Sequence, residues 1–256
     1  MTTVRTVDLD FTAWKYHAAT VQASRCEGSA CYAREFGPED QPCGVMALAT
    51  GVGPEGIGAK AANALVTALA AELRQEGRFE AFRQSWWEAL LPFLVRKNAA
   101  LRELGRALDA PVLVSACFAM TEPQEDGYKL TLLSIGNTLC YYGAGTRIQR
   151  CNHLDTDGEK PNPTFGESAI LNRCLGLSDT VQPHYYTIDN ISKSSPVFLA
   201  SSGFSLYRPD LFVALNDAAD PAVAVHNATE LIKEKRGLGC GDAVLLGLRK
   251  GVIADG

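Results

Sequence analysis

The order of strand and helix signals predicts an α+β fold, an antiparallel sandwich of sheets and helices rather than a doubly wound parallel sheet. Three observations carry this. Short β-patterned runs follow one another as hairpins through the second half of the chain. Two long helical stretches come together as a pair after the third strand. One further helical stretch stands near the end. With 256 residues the chain suits a single domain over 1–256 with a sizeable core. It shows no internal repeat and no low-complexity linker.

Taken in order, residues 14–22 (WKYHAATVQ) alternate loosely and predict a first strand, and 29–36 (SACYAREF) a second. The apolar run Val45 to Ala49 predicts a buried third strand. A turn with Gly51, Gly53, Gly56 and Gly58 follows, and Ala59 to Leu73 keeps alanine and leucine at helical spacing. After Gly77, residues 79–108 predict a second helical segment, which Pro92 is expected to kink or split. Trp86, Trp87, Leu90, Leu91, Phe93 and Leu94 form its apolar, core-facing side.

PVLVSACFAM, the polar turn TEPQEDG and YKLTLLSIG predict one hairpin; NTLCYYGAGTRIQRC predicts another, turned at Gly143–Gly145. A polar loop over 152–167 leads to a short helix expected at 168–175. HYYTIDN and PVFLASS predict strands, Asp220 to Lys235 a helix, and AVLLGLRKG a closing strand.

Composition excludes several functions. The net charge of −5 provides no field that would favour nucleic acid or an anionic membrane. No apolar run approaches the roughly 20 residues needed to cross a bilayer. The start, MTTVRTVDLDFTAW, lacks the hydrophobic core of a signal peptide, so a cytoplasmic location is the expectation. The eight cysteines form no C-x-x-C and match no zinc spacing; several lie in apolar runs and are expected to be reduced and structural. The four histidines form no i, i+4 pair.

Strand, glycine turn and helix at residues 43–69 make a layout that often presents backbone N–H groups to an anion. It lacks the Gly-Lys-Ser/Thr and the glycine spacing of the nucleotide-binding turns. The alternative is a tight connection with no ligand.

Ala49-Thr50-Gly51, opening into a glycine-rich turn and an alanine-rich helix, resembles the Ala-Asp-Gly turn of the metal-dependent serine/threonine protein phosphatases, the PPM or type-2C family. Four further segments in the same order are similar to that family: WKYHAATVQASRCEGSACYA, SIGNTLCYYGAGTRIQR, ILNRCLGLSD and VFLASSGFSLY, and GCGDAVLLGL closes the chain in the family's manner. The resemblance implies an αββα sandwich, with two mostly antiparallel sheets flanked by helix pairs.

It also implies a site. In such phosphatases aspartates bridge two magnesium or manganese ions, which activate water against phosphorus. The positions aligned with those aspartates are Ala33, Thr50, Ser202 and Gly241, none of them acidic. Hard dications need anionic oxygen ligands, so no metal cofactor and no catalytic residue are expected. Arg25, Thr50, Gly51 and Ser202 remain as ligand-binding candidates in a vestigial cleft. Glu27, Glu55 and Asp242 lie near the lost positions; Glu55 and Asp242 are the acids that would restore a manganese or magnesium site. Asn137, Asn172 and Arg173 match family motifs but sit among apolar neighbours, where polar side chains tie down loops, so they are expected to be scaffold.

Three functions follow from this resemblance. One is a pseudophosphatase, a binding or regulatory module in protein phosphorylation signalling whose partner is a phosphoprotein, a serine/threonine kinase or a related phosphatase. The second is an active manganese- or magnesium-dependent phosphatase with an atypical site. The third is a purely structural subunit of an assembly.

Overall fold

The computed structural model describes residues 14–21, 27–37, 42–144, 147–156, 171–193, 195–201 and 243–250, together with Val223, His226, Asn227 and Glu230. Its strands are β1 (Trp14–Val21), β2 (Glu27–Phe36), β3 (Cys43–Val52), β4 (Leu113–Pro123), β5 (Gly127–Ile135), β6 (Leu139–Ala144), β7 (Arg147–Arg150), β8 (His184–Ser192), β9 (Val197–Ala200) and β10 (Ala243–Lys250). Between β3 and β4 come α1 (Ile57–Leu73), α2 (Arg78–Gln84) and α3 (Trp86–Leu108). The strands form two five-stranded sheets, β2-β3-β4-β5-β8 and β1-β10-β9-β6-β7. Neighbouring strands are antiparallel throughout. The expected sandwich is therefore observed.

Strand β3 is buried on both faces, which is why it reads as a continuous apolar run rather than an alternation. Val45, Ala47 and Ala49 point to the helices and pack with Ala61, Ala62, Leu65, Val66, Leu69 and Leu73 of α1. Met46 and Leu48 point the other way, into a layer shared with Cys31, Ala33, Cys117, Ala119, Leu130 and Leu132 of the same sheet. Cys140, Val197 and Leu199 from the second sheet close that layer. Burying a side chain of this size contributes roughly 1.5–3 kcal/mol, so the inter-sheet layer and the helix-facing layer together hold the sandwich. The phenol of Tyr128 donates across it to the Ser195 carbonyl at 2.8 Å.

Two helical expectations are corrected. Pro92 neither splits nor ends α3, which is one helix from Trp86 to Leu108; the break falls at Ser85, whose φ of −145° is not helical. The amide that Pro92 lacks would have bonded the Glu88 carbonyl one turn back, and both residues are on the exposed face, where water supplies the partner. Residues 171–175 are not helical either. Leu171 and Leu175 form isolated β-bridges, to Thr156 and to Val114. Leu175 and Val114 exchange both N–H···O bonds at 2.9 Å. Of the stretch read as a helix over 220–235, Val223, His226, Asn227 and Glu230 are helical; the rest lies outside the described residues.

The chain beyond Leu175 is fixed to α3 by a buried amide. Asn98 Oδ1 accepts the Gly176 N–H at 2.7 Å, and Asn98 Nδ2 donates to the Ser178 carbonyl at 2.9 Å. Gly176 has φ of +88°, and a Cβ there would stand 2.1 Å from the Val112 carbonyl oxygen, so only glycine fits. Asn98→Ala removes both bonds and leaves the Gly176 amide without its acceptor, an expected loss of about 2 kcal/mol. A thermal melt should fall by roughly 4–8 °C, with faster hydrogen exchange at Gly176; an unchanged melt would show that Asn98 carries no stability.

Candidate functional site

The candidate site lies where β3 runs into α1. The turn Gly53–Gly56 is closed by the Ile57 N–H donating to the Pro54 carbonyl at 2.8 Å, with Gly56 at φ +74°. α1 lies flat against the sheet because two cross-strand partners, Gly28 and Gly51, have no side chains. A Cβ at Gly51 would be 2.1 Å from the Gly58 carbonyl oxygen, and one at Gly28 would be 2.2 Å from the Ala59 Cβ. These glycines serve packing, and they rule out a ligating side chain at either position.

On the opposite, inter-sheet face the next pair along is Ser29 and Thr50. Their hydroxyls are hydrogen-bonded at 2.9 Å. Ser115 of β4 is the register partner of Thr50 on its other side. Thr50 and Ser115 are both buried. The result is a row of three hydroxyls across β2, β3 and β4.

The second sheet reaches the same end of the molecule through the β5–β6 turn. Gly136 has φ of +92°, and its missing side chain makes room for Ser115: a Cβ would be 2.2 Å from Ser115 Oγ. Three residues later Leu139 opens β6 opposite Ala200, which itself pairs with Leu245 of β10. The end of β9, including buried Ser201, is thereby brought toward the hydroxyl row.

The β5–β6 turn is held by a buried carboxylate. Asp155 Oδ2 accepts the Gly136 N–H at 2.9 Å, while the Asp155 N–H donates to the Gly136 carbonyl at 3.0 Å. Asp155 Oδ1 lies 2.8 Å from His184 Nε2 and 3.6 Å from Arg173 Nε. The Asn172 N–H donates to the Asp155 carbonyl at 3.0 Å. Arg173 thus meets the Asp155 carboxylate, and Asn172 meets the Asp155 backbone; Asn137 stands half-buried in the same turn.

Of the residues singled out in the sequence, Thr50 and Gly51 sit together at this end. Ala33 does not join them. It lies opposite Met46, fully buried in the inter-sheet apolar layer. Four strand residues separate it from Ser29, roughly 13 Å at the usual rise. The register neighbour of Thr50 is Ser29. Glu55 is exposed in the turn before α1. Glu27 begins β2 opposite Val52. Arg25, Ser202, Gly241 and Asp242 lie outside the described residues.

Among the described residues, no three His, Cys, Asp or Glu side chains converge on a point that would hold a metal ion. The donors in the row are neutral hydroxyls, and two of them already satisfy each other. Magnesium and manganese demand anionic oxygens in exchange for hydration water. The described residues do not fit such a cation. Ser29, Ser115, Asp155 and His184 were not legible as site or scaffold residues in the sequence; only the strand register and the β5–β6 turn place them.

No protein-family model and no curated protein sequence matches the chain. Solved structures do. PppA of Pseudomonas aeruginosa, described as a key regulatory component of T6SS, superposes with a TM-score of 0.69 at 14% identity, over 94% of this chain and 99% of its own. The serine/threonine phosphatase of S. agalactiae gives a TM-score of 0.70 at 14% identity over 92% and 99% of the two chains. The PPM Ser-Thr phosphatase MsPP of Mycobacterium smegmatis gives 0.63 at 17% identity over 94% and 100%. At these identities the likeness concerns fold, and it extends over nearly the whole length of both chains: the protein has the fold of the PPM-type serine/threonine phosphatases.

Proposed function

We propose that the chain is a pseudophosphatase, a phosphatase-like module that binds without hydrolysing. The observation that carries this reading is the Ser29–Thr50 hydroxyl pair at the mouth of the Gly51 turn. A dication entering there would surrender hydration and receive neutral oxygens, an exchange that costs several kcal/mol even after relaxation. Without a metal no water is acidified and no Lewis acid balances charge on the phosphoryl oxygens. The partner class is a protein of phosphorylation signalling, either a phosphoprotein, a serine/threonine kinase or a related phosphatase. Its segment would meet Arg25, Thr50, Gly51 and Ser202. A regulatory role is also what is described for the structural neighbour PppA, a key regulatory component of T6SS. The setting is proposed to be cytoplasmic; among the described residues, no helix is long and apolar enough to cross a membrane.

Calorimetric titration with manganese, beside a phosphopeptide release assay, tests the proposal. The expected result is no saturable heat at millimolar manganese and no metal-dependent phosphate release. Manganese-dependent turnover that survives repurification and disappears in Glu55→Gln or Asp242→Asn would replace this reading with an active phosphatase using an atypical site.

A further inference from the structure

The two sheets meet through sulfur as well as hydrocarbon. Tyr141 pairs with Arg150, so Cys140 and Cys151 stand opposite one another one step further along the ladder. The Cys151 N–H donates to the Cys140 carbonyl at 2.8 Å, and the two Sγ atoms are 3.6 Å apart. From the facing sheet, Cys117 lies in the same buried layer as Cys140. Cys117 and Cys140 are fully buried; Cys151 is half-buried.

Facing residues of an antiparallel pair have their Cα atoms about 4.5–5.5 Å apart. That lies inside the range of about 4.4–6.8 Å that a disulfide spans. The sulfurs need to close by only about 1.5 Å, which side-chain rotation supplies. We propose that Cys140 and Cys151 form a reversible disulfide, closed by exchange with a small disulfide of the oxidised-glutathione class and reopened by a thiol.

The chemistry has an order. Cys151 has solvent access, whereas burial pushes the thiols of Cys117 and Cys140 well above the ordinary range and keeps them protonated. Cys151, the accessible sulfur of the pair, therefore attacks first, giving up its proton. The donor's S–S bond breaks, one small thiolate departs, and Cys151 carries a mixed disulfide. The Cys140 sulfur then attacks the Cys151 sulfur, and the second small thiolate leaves, taking up the Cys140 proton. Two protein thiols are oxidised and one small disulfide is reduced to two thiols.

Closure would be felt at the candidate site. It ties β6 covalently to the segment whose next residue, Asn152, accepts the Cys140 N–H at 2.8 Å and donates to the Thr138 carbonyl at 2.8 Å. Asp155, three residues further on, holds Gly136 against Ser115. The bond also draws the Cys140 sulfur toward Cys151 within the buried layer that it shares with Cys117.

The test uses the reduced full-length chain, equilibrated in glutathione buffers of graded ratio, acid-quenched, alkylated unfolded and mapped by peptide mass spectrometry. The expected result is a Cys140–Cys151 linked peptide pair that rises with oxidised glutathione and disappears with excess reduced glutathione. Cys117→Ala should retain the linkage, and Cys151→Ser, changed at a half-buried position, should leave Cys140 alkylatable at every ratio. Three results overturn the proposal: both thiols alkylated throughout, Cys151 accumulating as a glutathione adduct beside a free Cys140, or Cys140 linked to Cys117 instead. The wild-type map decides these without any variant having to fold.

Discussion

Gly136→Ala is expected to lower stability by about 3 kcal/mol. Two costs combine. The backbone at φ +92° is one that an alanine rarely adopts, a cost of roughly 1 kcal/mol. The new methyl would also stand 2.2 Å from Ser115 Oγ, 2.6 Å from its Cβ and 2.9 Å from its Cα. Rotating Ser115 relieves the first of these and not the last, because the last is backbone. Overpacking of this kind costs about 1–3 kcal/mol. The melting temperature should drop by roughly 6–12 °C. Ser115→Gly in the same chain removes two of the three clashing atoms and should recover part of the loss, leaving the φ cost. A Gly136→Ala protein that melts like the parent would show that the β5–β6 turn does not press on β4 as described.

The same turn shows which features the sequence could disclose. β3 and the turn into α1 were legible because each depends on neighbours in sequence: an apolar run buried on both faces, then glycines, then alanine and leucine at helical spacing. The β4–β5 hairpin was legible for a similar reason, its turn being marked by Pro123, Glu125 and Asp126. Pro92 misled because its effect depends on whether the orphaned carbonyl faces water, and that is a property of the packed helix. Residues 171–175 misled because Leu171 and Leu175 are used for bridges to distant chain rather than for a helical face.

The site was less legible, and the reason is geometric. Ser29 and Ala33 stand four residues apart along β2, and only one of them neighbours Thr50. An even slip keeps every side chain on its face, so alternation alone cannot detect it. Only the pairing of Ser29 with Thr50 and of Ala33 with Met46 does. Asp155 was invisible for another reason. It looked like one more acid in a polar loop, and its main partner, Gly136, is 19 residues away.

Asp155→Ala is expected to have the largest effect of any single polar change among the described residues. The carboxylate is 4% exposed, accepts the Gly136 N–H, and meets His184 and Arg173 through its other oxygen. Truncating it leaves a buried amide without an acceptor, a penalty of about 1–3 kcal/mol. It also strips Arg173 and His184 of their partner; breaking a buried pair costs about 3–5 kcal/mol, and Arg173, at 41% exposed, keeps water that reduces this share. The total should fall near 4 kcal/mol. Asp155→Asn retains an oxygen for the Gly136 amide and should lose roughly half as much. Arg173→Ala removes the exposed partner alone and should cost no more than about 1 kcal/mol, as exposed ion pairs do. Denaturant melts of the two single variants and the double variant measure how far the residues act together. If Arg173 is scaffold, its loss should matter less once Asp155 is already alanine, and binding of a phosphorylated partner should follow stability in all three proteins. Affinity that vanishes in Arg173→Ala while its melt stays with the parent would move Arg173 from scaffold to binding surface, and would place the recognition of the partner at the β5–β6 turn instead of at the Thr50 row.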